Sequence, residues 1–384
     1  MRWGIYVHIP FCRQKCFYCD FPSFAGRESR SEAYTDALCR EIMAQGSLLR
    51  EKEENLTGAA TVYFGGGTPT VLQISQLERI IRTLRQNLPV APSAEFTMEA
   101  NPGTVSRKGL ERLHSLGVNR LSFGVQSFDD GLLQRIGRIH TGQQAVMAVR
   151  EAQRAGFHNI SLDLMYGLPG QSMQELQQSV EQALRLEVQH ISIYGLQLEE
   201  GTVFAKQQEM GYLELPSEEL VEQMYDYMTC ALPANGYARY EISNFARAGF
   251  ESRHNLGYWQ DVPYLGLGSA AHSYWQEQRL ENCREIGDYI ACISAGGSPA
   301  REEEPMTRRI AMEEFAFLAL RTAKGIDLEA FQRKFGCSFA SVYAETAARM
   351  TAKGLLQQTK GFVYLTDLGM KYGNVVFEAF LLEE

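Results

Sequence analysis

Cys12-Arg13-Gln14-Lys15-Cys16-Phe17-Tyr18-Cys19 places three thiols within eight residues of a 384-residue chain. The spacing C-x3-C-x2-C suits three corners of a cubane iron–sulfur cluster, because thiolates ligate such clusters and one short loop can wrap the cube. No fourth cysteine follows; Asp20 and Phe21 come next, so one iron of a [4Fe–4S] cluster stays open to a ligand that is not protein. Two plainer readings stand beside this one. A structural zinc site wants four ligands, usually in pairs, and the loop supplies three. Buried thiols or a disulfide fit poorly into so crowded a loop.

The rest of the chain bounds the class. Apolar residues make up 45% and charged residues 22%, the proportions of an ordinary globular protein, and the length allows two or three domains. A net charge of −9 argues against a general nucleic-acid or membrane-surface binder. Residues 1–4 run straight into an apolar strand with no signal-peptide pattern, and the other five cysteines (Cys39, Cys230, Cys283, Cys292, Cys337) lack framework spacing. Both features predict a reducing, cytoplasmic setting.

Outward from the cysteine loop, strand and helix patterns alternate. Strands are expected at Ile5–Pro10, Thr61–Gly65, Glu95–Ala100, Arg120–Gln126, Asn159–Met165 and His190–Leu196. Helices are expected at Ser31–Leu49, Ser75–Gln86, Ser106–Leu116, Thr141–Ala155 and Met173–Leu186. Such alternation predicts an α/β fold with a parallel sheet, open or curled into a partial β/α barrel of about six units.

Polar and glycine-rich motifs fall at the carboxyl ends of these strands, where such folds build their sites. Gly65-Gly66-Gly67-Thr68-Pro69-Thr70 ends the second strand, either as a tight connection or as backbone opened to a ligand. Glu99 ends the third as a solvated carboxylate or as a group aimed into the same mouth. Gln126 ends the fourth, Arg138 lies twelve residues on, and Asp163 sits inside the apolar fifth strand, where it needs a partner.

Together Tyr6-Val7-His8-Ile9-Pro10-Phe11-Cys12, the cysteine triplet, the Gly-Gly-Gly-Thr-Pro-Thr turn, Gly124-Val125-Gln126-Ser127-Phe128 and Asp163-Leu164-Met165-Tyr166-Gly167-Leu168-Pro169-Gly170 resemble the radical S-adenosylmethionine proteins. More closely, they resemble the oxygen-independent coproporphyrinogen III oxidase/dehydrogenase family. The resemblance implies that Cys12, Cys16 and Cys19 hold a [4Fe–4S] cluster whose open iron takes S-adenosylmethionine. It implies cofactor contacts from Tyr6, Gly66, Gly67, Thr68, Glu99, Gln126, Arg138 and Asp163. Tyr18 matches an aromatic position against which a cofactor packs, with core packing as the equal alternative. The chemistry agrees, since an Arg can pair with a carboxylate in a bidentate way and Asp or Gln can bind ribose hydroxyls.

Two branches of this family differ at readable positions. The dehydrogenases carry an extra cysteine two residues after the triplet, where this chain has Phe21, and a long extension before the Tyr-Val-His-Ile-Pro-Phe-Cys motif, where this chain has five residues. His254-Asn255-Leu256-Gly257-Tyr258-Trp259 matches a His-Asn-x-x-Tyr-Trp motif of the HemW, or haem-chaperone, subfamily. Imidazole is a standard axial ligand of haem iron, so His254 is the candidate haem ligand, with a bracing role for the same ring as the plainer reading. His272 is read as a core histidine, with a second haem-side ligand as the alternative.

The expected function is therefore a haem chaperone that binds haem and passes it to an acceptor protein such as a respiratory enzyme. The acceptor would bring transient proximity to a membrane, and radical activity would require an electron donor. The rival expectation is a coproporphyrinogen III dehydrogenase that decarboxylates propionates oxidatively, to give protoporphyrinogen IX.

Toward the C-terminus, Tyr237–Phe245 reads as one more strand and 265–273 as a glycine-rich turn. Residues 296–304 read as a linker. Helices at Arg309–Arg321, Leu328–Phe335, Ser341–Lys353 and Leu368–Phe380, with a hairpin over Leu355–Thr366, predict a small winged-helix-like domain. Its 11 Lys/Arg against 12 Asp/Glu over residues 301–384 exclude the electrostatic footprint of a nucleic-acid binder. The expected units are 1–236, 237–300 (carrying the His-Asn-x-x-Tyr-Trp motif) and 301–384.

Overall fold

The structure is a computed structural model that describes residues 2–52, 56–302 and 305–382. Its centre is a parallel sheet. In chain order the strands are β1 (Gly4–Ile9), β2 (Ala59–Gly66), β3 (Val90–Ala100), β4 (Arg120–Gln126), β5 (Ile160–Tyr166) and β6 (His190–Gly195). They pair side by side in that order, all parallel. β7 (Tyr264–Leu267) adds a further parallel strand on the free side of β1. The sheet is thus one parallel strand larger than the pattern predicts, because the stretch read as a glycine-rich turn holds β7 and the start of β8 (His272–Trp275).

The six expected strands and five expected helices are all present, with bounds shifted by a residue or more at most ends. The connecting helices are α1 (Ser31–Lys52), α2 (Ile74–Asn87), α3 (Arg107–Ser115), α4 (Gly142–Arg154) and α5 (Met173–Arg185). Their starts follow ordinary capping chemistry: the Ser106, Thr141 and Ser172 hydroxyls each accept the backbone N–H three residues on. Strands such as β2 are buried almost throughout, as expected when helices cover a parallel sheet. One continuous apolar core runs through the sheet and helices, from Trp3, Ile5 and Val7 to Leu267.

Two segments depart from expectation. Tyr237–Phe245 is not one strand; Ala238–Arg239 and Asn244–Ala246 pair antiparallel with each other, and the second also pairs with β6. The 296–304 linker holds β10 (Ala300–Glu302), which pairs with β9 (Gln278–Asn282) at the far edge of the sheet, while residues 303 and 304 lie outside the described residues. A helix not expected from the pattern, α6 (Glu218–Ala234), buries Met224, Met228 and Leu232 against the main core.

Beyond β10 a second core gathers around Phe331, Tyr343 and Phe380. Helices α8 (Arg308–Leu320), Leu328–Phe335 and Ala340–Ala352 pack with a three-stranded antiparallel sheet of Ile326–Asp327, Phe362–Leu365 and Leu356–Gln358. This is the winged-helix arrangement that the sequence predicts. Its last expected helix is broken at Tyr372 into Asp367–Lys371 and Gly373–Ala379. Among the described residues no helix is long and apolar enough to cross a membrane.

Candidate functional site

The cysteine loop leaves the carboxyl end of β1 and is tied down from several sides. The Gly67 and Thr68 amides donate to the Ile9 and Phe11 carbonyls, at 2.9 and 2.8 Å, which pins the glycine turn after β2 against the loop. Gly66 has a φ of +103°, and a Cβ there would lie 2.4 Å from the His8 ring, so only glycine allows this approach. His8 in turn places Nε2 3.0 Å from the Pro22 carbonyl and Nδ1 3.0 Å from the Tyr6 hydroxyl. Burial holds this imidazole neutral, lowering its pKa to about 4. The neutral ring donates to Pro22 and accepts from Tyr6, fixing the segment just past Cys19.

The thiols lie at the ends of a polar circuit. Cys12 Sγ is 3.6 Å from Thr68 Oγ1, which accepts from Asn101 Nδ2 at 2.8 Å. Asn101 Oδ1 accepts from Arg138 Nη2 at 2.7 Å, and Arg138 Nη1 reaches Cys16 Sγ at 3.4 Å. Arg138 also donates to the Gly124 carbonyl, while its buried Nε has no partner among the described residues. Gly124 has no Cβ because one would meet Asn101, Arg138 and Gln126, at 2.7, 3.1 and 3.2 Å. Gln126 itself sits in a β-bulge of β4 with φ +68°, a device that re-aims a side chain. Burial pushes the Cys12 and Cys19 thiols up.

A second polar group lies deeper in the barrel. Tyr63 donates to Glu99 Oε1 at 2.6 Å, and Ser122 donates to Asp163 at 3.2 Å. Burial raises the Glu99 pKa to about 7 and raises that of Asp163 as well; nearby Arg120 opposes both shifts. Arg120 is 1% exposed and its Nε has no partner among the described residues. It forms no ion pair there, so it acts as a fixed positive charge beneath two carboxylates.

The structure therefore brings Cys12, Cys16, Thr68, Arg138, Gly66, Tyr6, Glu99, Gln126 and Asp163 to one end of the sheet. Tyr18 packs on a small cluster with Leu133, Met165 and Phe204, beside Cys16 and Arg138. Asn101, His8, Tyr63 and Arg120 belong to the same region although the sequence reading gave them no role. Only Asn101 carried a signal, as a polar residue two positions past Glu99 at a strand end.

His254 lies elsewhere. It lies in the first turn of the helix α7 (Arg253–Trp259), near the starts of β1 and β2, and is 3% exposed. Nδ1 is 2.8 Å from Thr61 Oγ1 and Nε2 is 2.8 Å from Tyr258 Oη. Burial and the Arg120 charge lower its pKa to about 3. An axial haem ligand needs a free ring nitrogen with open space beside it, and in this conformation His254 has neither. The bracing role is the one that the geometry fits. His272 is not a core histidine; it is exposed on β8, opposite Glu281 on β9.

No three His, Cys, Asp or Glu side chains among the described residues converge on a point that would hold a single metal ion. A cubane needs no such convergence, since it takes one thiolate on each of three separate irons. Three cysteines on one loop, ringed by Thr68, Asn101 and Arg138 and facing a glycine cradle, fit such a group.

Comparison with known proteins agrees with the geometry. The Radical SAM superfamily model matches residues 6–183, and the HemN C-terminal domain model matches 306–372. Heme chaperone HemW from Lactococcus lactis is 40% identical over 379 residues, covering 99% of this chain and 97% of that protein. Its namesake from Bacillus subtilis is also 40% identical over 379 residues, covering 98% and 99%. The chain belongs to the HemW family of radical SAM proteins. Among solved structures, coproporphyrinogen III oxidase (HemN) from Escherichia coli superposes with a TM-score of 0.86, at 23% identity, over 99% of this chain and 90% of that one. This chain thus shares the overall fold of that structure.

Proposed function

We propose that this protein is a haem chaperone, which binds haem and hands it to an acceptor protein while carrying a [4Fe–4S] cluster and exchangeable S-adenosylmethionine. The observation that carries the proposal is near full-length identity of 40% to proteins named Heme chaperone HemW. The cysteine loop and its Thr68–Asn101–Arg138 circuit support the cofactor part.

In this reading Cys12, Cys16 and Cys19 hold the cluster, and the cluster would supply an open iron and one-electron chemistry. Tyr6, Gly66, Gly67, Thr68 and Glu99 would hold the methionine end of the cofactor, with Gln126, Arg138 and Asp163 binding further parts of it. Glu99 offers a carboxylate to an ammonium group, and its bond from Tyr63 fixes which oxygen faces inward. The partners proposed are haem, a haem acceptor and, where the cluster is reduced, an electron donor. His254 is proposed as a brace and not as a haem ligand.

Coproporphyrinogen dehydrogenation is the second reading, favoured by the HemN-like fold. Against it stands Phe21, which takes the position of that branch's extra cysteine and is 60% exposed. The test pairs two measurements on anaerobically reconstituted protein: a haem titration, and a coproporphyrinogen turnover assay with S-adenosylmethionine and reductant. Stable haem binding without turnover is expected. Robust turnover without stable haem binding would overturn the proposal.

A further inference from the structure

The His-Asn-x-x-Tyr-Trp helix joins two parts of the molecule that are otherwise far apart in sequence. At its start, the His254 ring stacks on Tyr63 (centroids 5.0 Å, planes at 21°) and on Tyr6 (6.4 Å, 25°). Tyr6 and Tyr63 stack on each other at 6.2 Å. The hydroxyls of those two tyrosines are spent on the candidate site: Tyr63 on Glu99, and Tyr6 on His8, which holds the segment past Cys19 through Pro22. The first turn of α7 is further anchored by Glu95, whose two oxygens accept from the Arg253 and His254 amides at 3.2 and 3.1 Å. Glu95 and Glu99 lie four residues apart on β3, hence on one face of the strand.

At the other end of α7, Trp259 faces the C-terminal domain. Arg321, just past α8, sets its guanidinium carbon 4.7 Å from the Trp259 ring, and 5.6 and 5.7 Å from Phe317 and Phe377. Phe317 is 36% exposed, so this shell reaches the surface of the domain. The backbone beside it is sewn to the barrel: Ile242 N donates to Arg321 O at 3.1 Å, and Ala323 N to Tyr240 O at 2.9 Å. The Tyr240 hydroxyl then lies 3.3 Å from the Ser252 amide, immediately before α7.

We propose that α7 is a coupling strut: His254 positions Tyr6 and Tyr63, and through them Glu99 and the cluster loop, while Trp259 and Arg321 tie that position to the state of the C-terminal domain. The idea rests on the cofactor assignment above. A rigid seven-residue helix with aromatic contacts at both ends is a physical connection between two sites, and energetic coupling through such a connection is reciprocal. Hence whatever docks on the C-terminal domain shifts S-adenosylmethionine affinity, and cofactor occupancy shifts docking by the same factor.

The test uses full-length, cluster-reconstituted protein and three variants: His254→Ala, Trp259→Leu and Arg321→Met. S-adenosylmethionine affinity is measured by equilibrium dialysis, and the electron paramagnetic resonance spectrum of the reduced cluster is recorded with and without the cofactor. Haem affinity is measured in parallel. The expected result is S-adenosylmethionine binding weakened at least about fivefold in Arg321→Met and in the α7 variants, the lower end of ordinary coupling. The cofactor-induced spectral change should be altered, with cluster absorbance and haem affinity retained. Unchanged affinity and spectrum in Arg321→Met would overturn the coupling. Haem affinity lost in His254→Ala, with S-adenosylmethionine binding intact, would overturn the positioning role and make His254 a ligand. Should His254→Ala fail to fold, Trp259→Leu and Arg321→Met still decide. Failure of the wild-type chain to take up a cluster would instead strike the cofactor assignment.

Discussion

Glu99 titrates within reach of neutral pH, and that makes its role measurable. Its carboxyl faces Tyr63 from β2, Asp163 from β5 and Arg120 from β4, and the Gly66 amide approaches it from the glycine turn. Burial dominates and lifts the pKa to about 7, against about 4.3 for an exposed Glu. With a pKa near 7, about one site in ten is ionised at pH 6 and about nine in ten at pH 8. A carboxylate that holds the cofactor's ammonium group should therefore bind about tenfold better at pH 8 than at pH 6. The ligand's own α-amino group titrates near 8, so the readout is the dissociation constant of Glu99→Gln divided by that of wild type at each pH. That ratio should grow about tenfold from pH 6 to pH 8. The sign for stability is opposite. Folded protein keeps the Glu99 proton to a higher pH than unfolded chain does, so this stabilisation is full below about pH 4 and is lost as pH rises through 7. Glu99→Gln should thus unfold at a higher temperature than wild type at pH 8 and show little difference at pH 4. A flat affinity ratio, or a Gln variant less stable than wild type at pH 8, would refute the assignment of Glu99 as a buried, titrating contact.

Cys16→Ala should abolish the visible absorbance of the reconstituted cluster while far-ultraviolet circular dichroism is unchanged, because the thiol is only half-buried and belongs to no apolar cluster. Gly66→Ala should cost about 1–3 kcal/mol of stability through its left-handed backbone alone, and more through the His8 ring that its Cβ would strike; urea denaturation measures the sum. Glu41→Ala should cost at least about 3 kcal/mol, since the buried Glu41 accepts from the Gly268 amide, Asn282 and Tyr289, at 2.7, 2.7 and 2.5 Å, and its loss breaks all three bonds and leaves the Gly268 amide and Tyr289 hydroxyl without that acceptor. A loss under about 1 kcal/mol in the same denaturation experiment would mean that water replaces the carboxylate.

The barrel was legible because parallel strands buried on both faces leave apolar runs, and helices between them carry caps such as Thr141 and Ser172. Motifs at strand ends marked the candidate site for the same reason: strand direction puts every carboxyl end on one side. Other features were hidden by physics that sequence does not display. β7 and β8 lie around a glycine turn too short to separate two strands by pattern, and β7 finds its partner, β1, some 260 residues earlier in the chain. Helix α6 was within reach, since Leu220, Met224, Met228 and Leu232 recur every four residues behind a Ser217 cap. His254 shows the sharper limit. A histidine in a family motif signals importance without signalling contact, and only the bonds to Thr61 and Tyr258 distinguish a ring that binds a ligand from one that holds its neighbours.

The molecule's polar interior follows a single logic from this point. The groups beside the cysteine loop need fixed orientations in a medium where charges are expensive. Here the fixed orientations come from neutral rings: His8 and His254 are both held uncharged by burial, so each can give one hydrogen bond and take another without adding charge. Arg120, a buried cation, lies beside the two carboxylates and shifts both toward ionisation. It also disfavours a proton on His254. Charge here sits on Glu99, Asp163, Arg120 and Arg138, and direction is supplied by tyrosines and histidines packed beside them. A motif whose histidine sat in this stack as a charged or mobile group would disturb the carboxylates above it, which is the physical reason for it to be buried, neutral and doubly bonded.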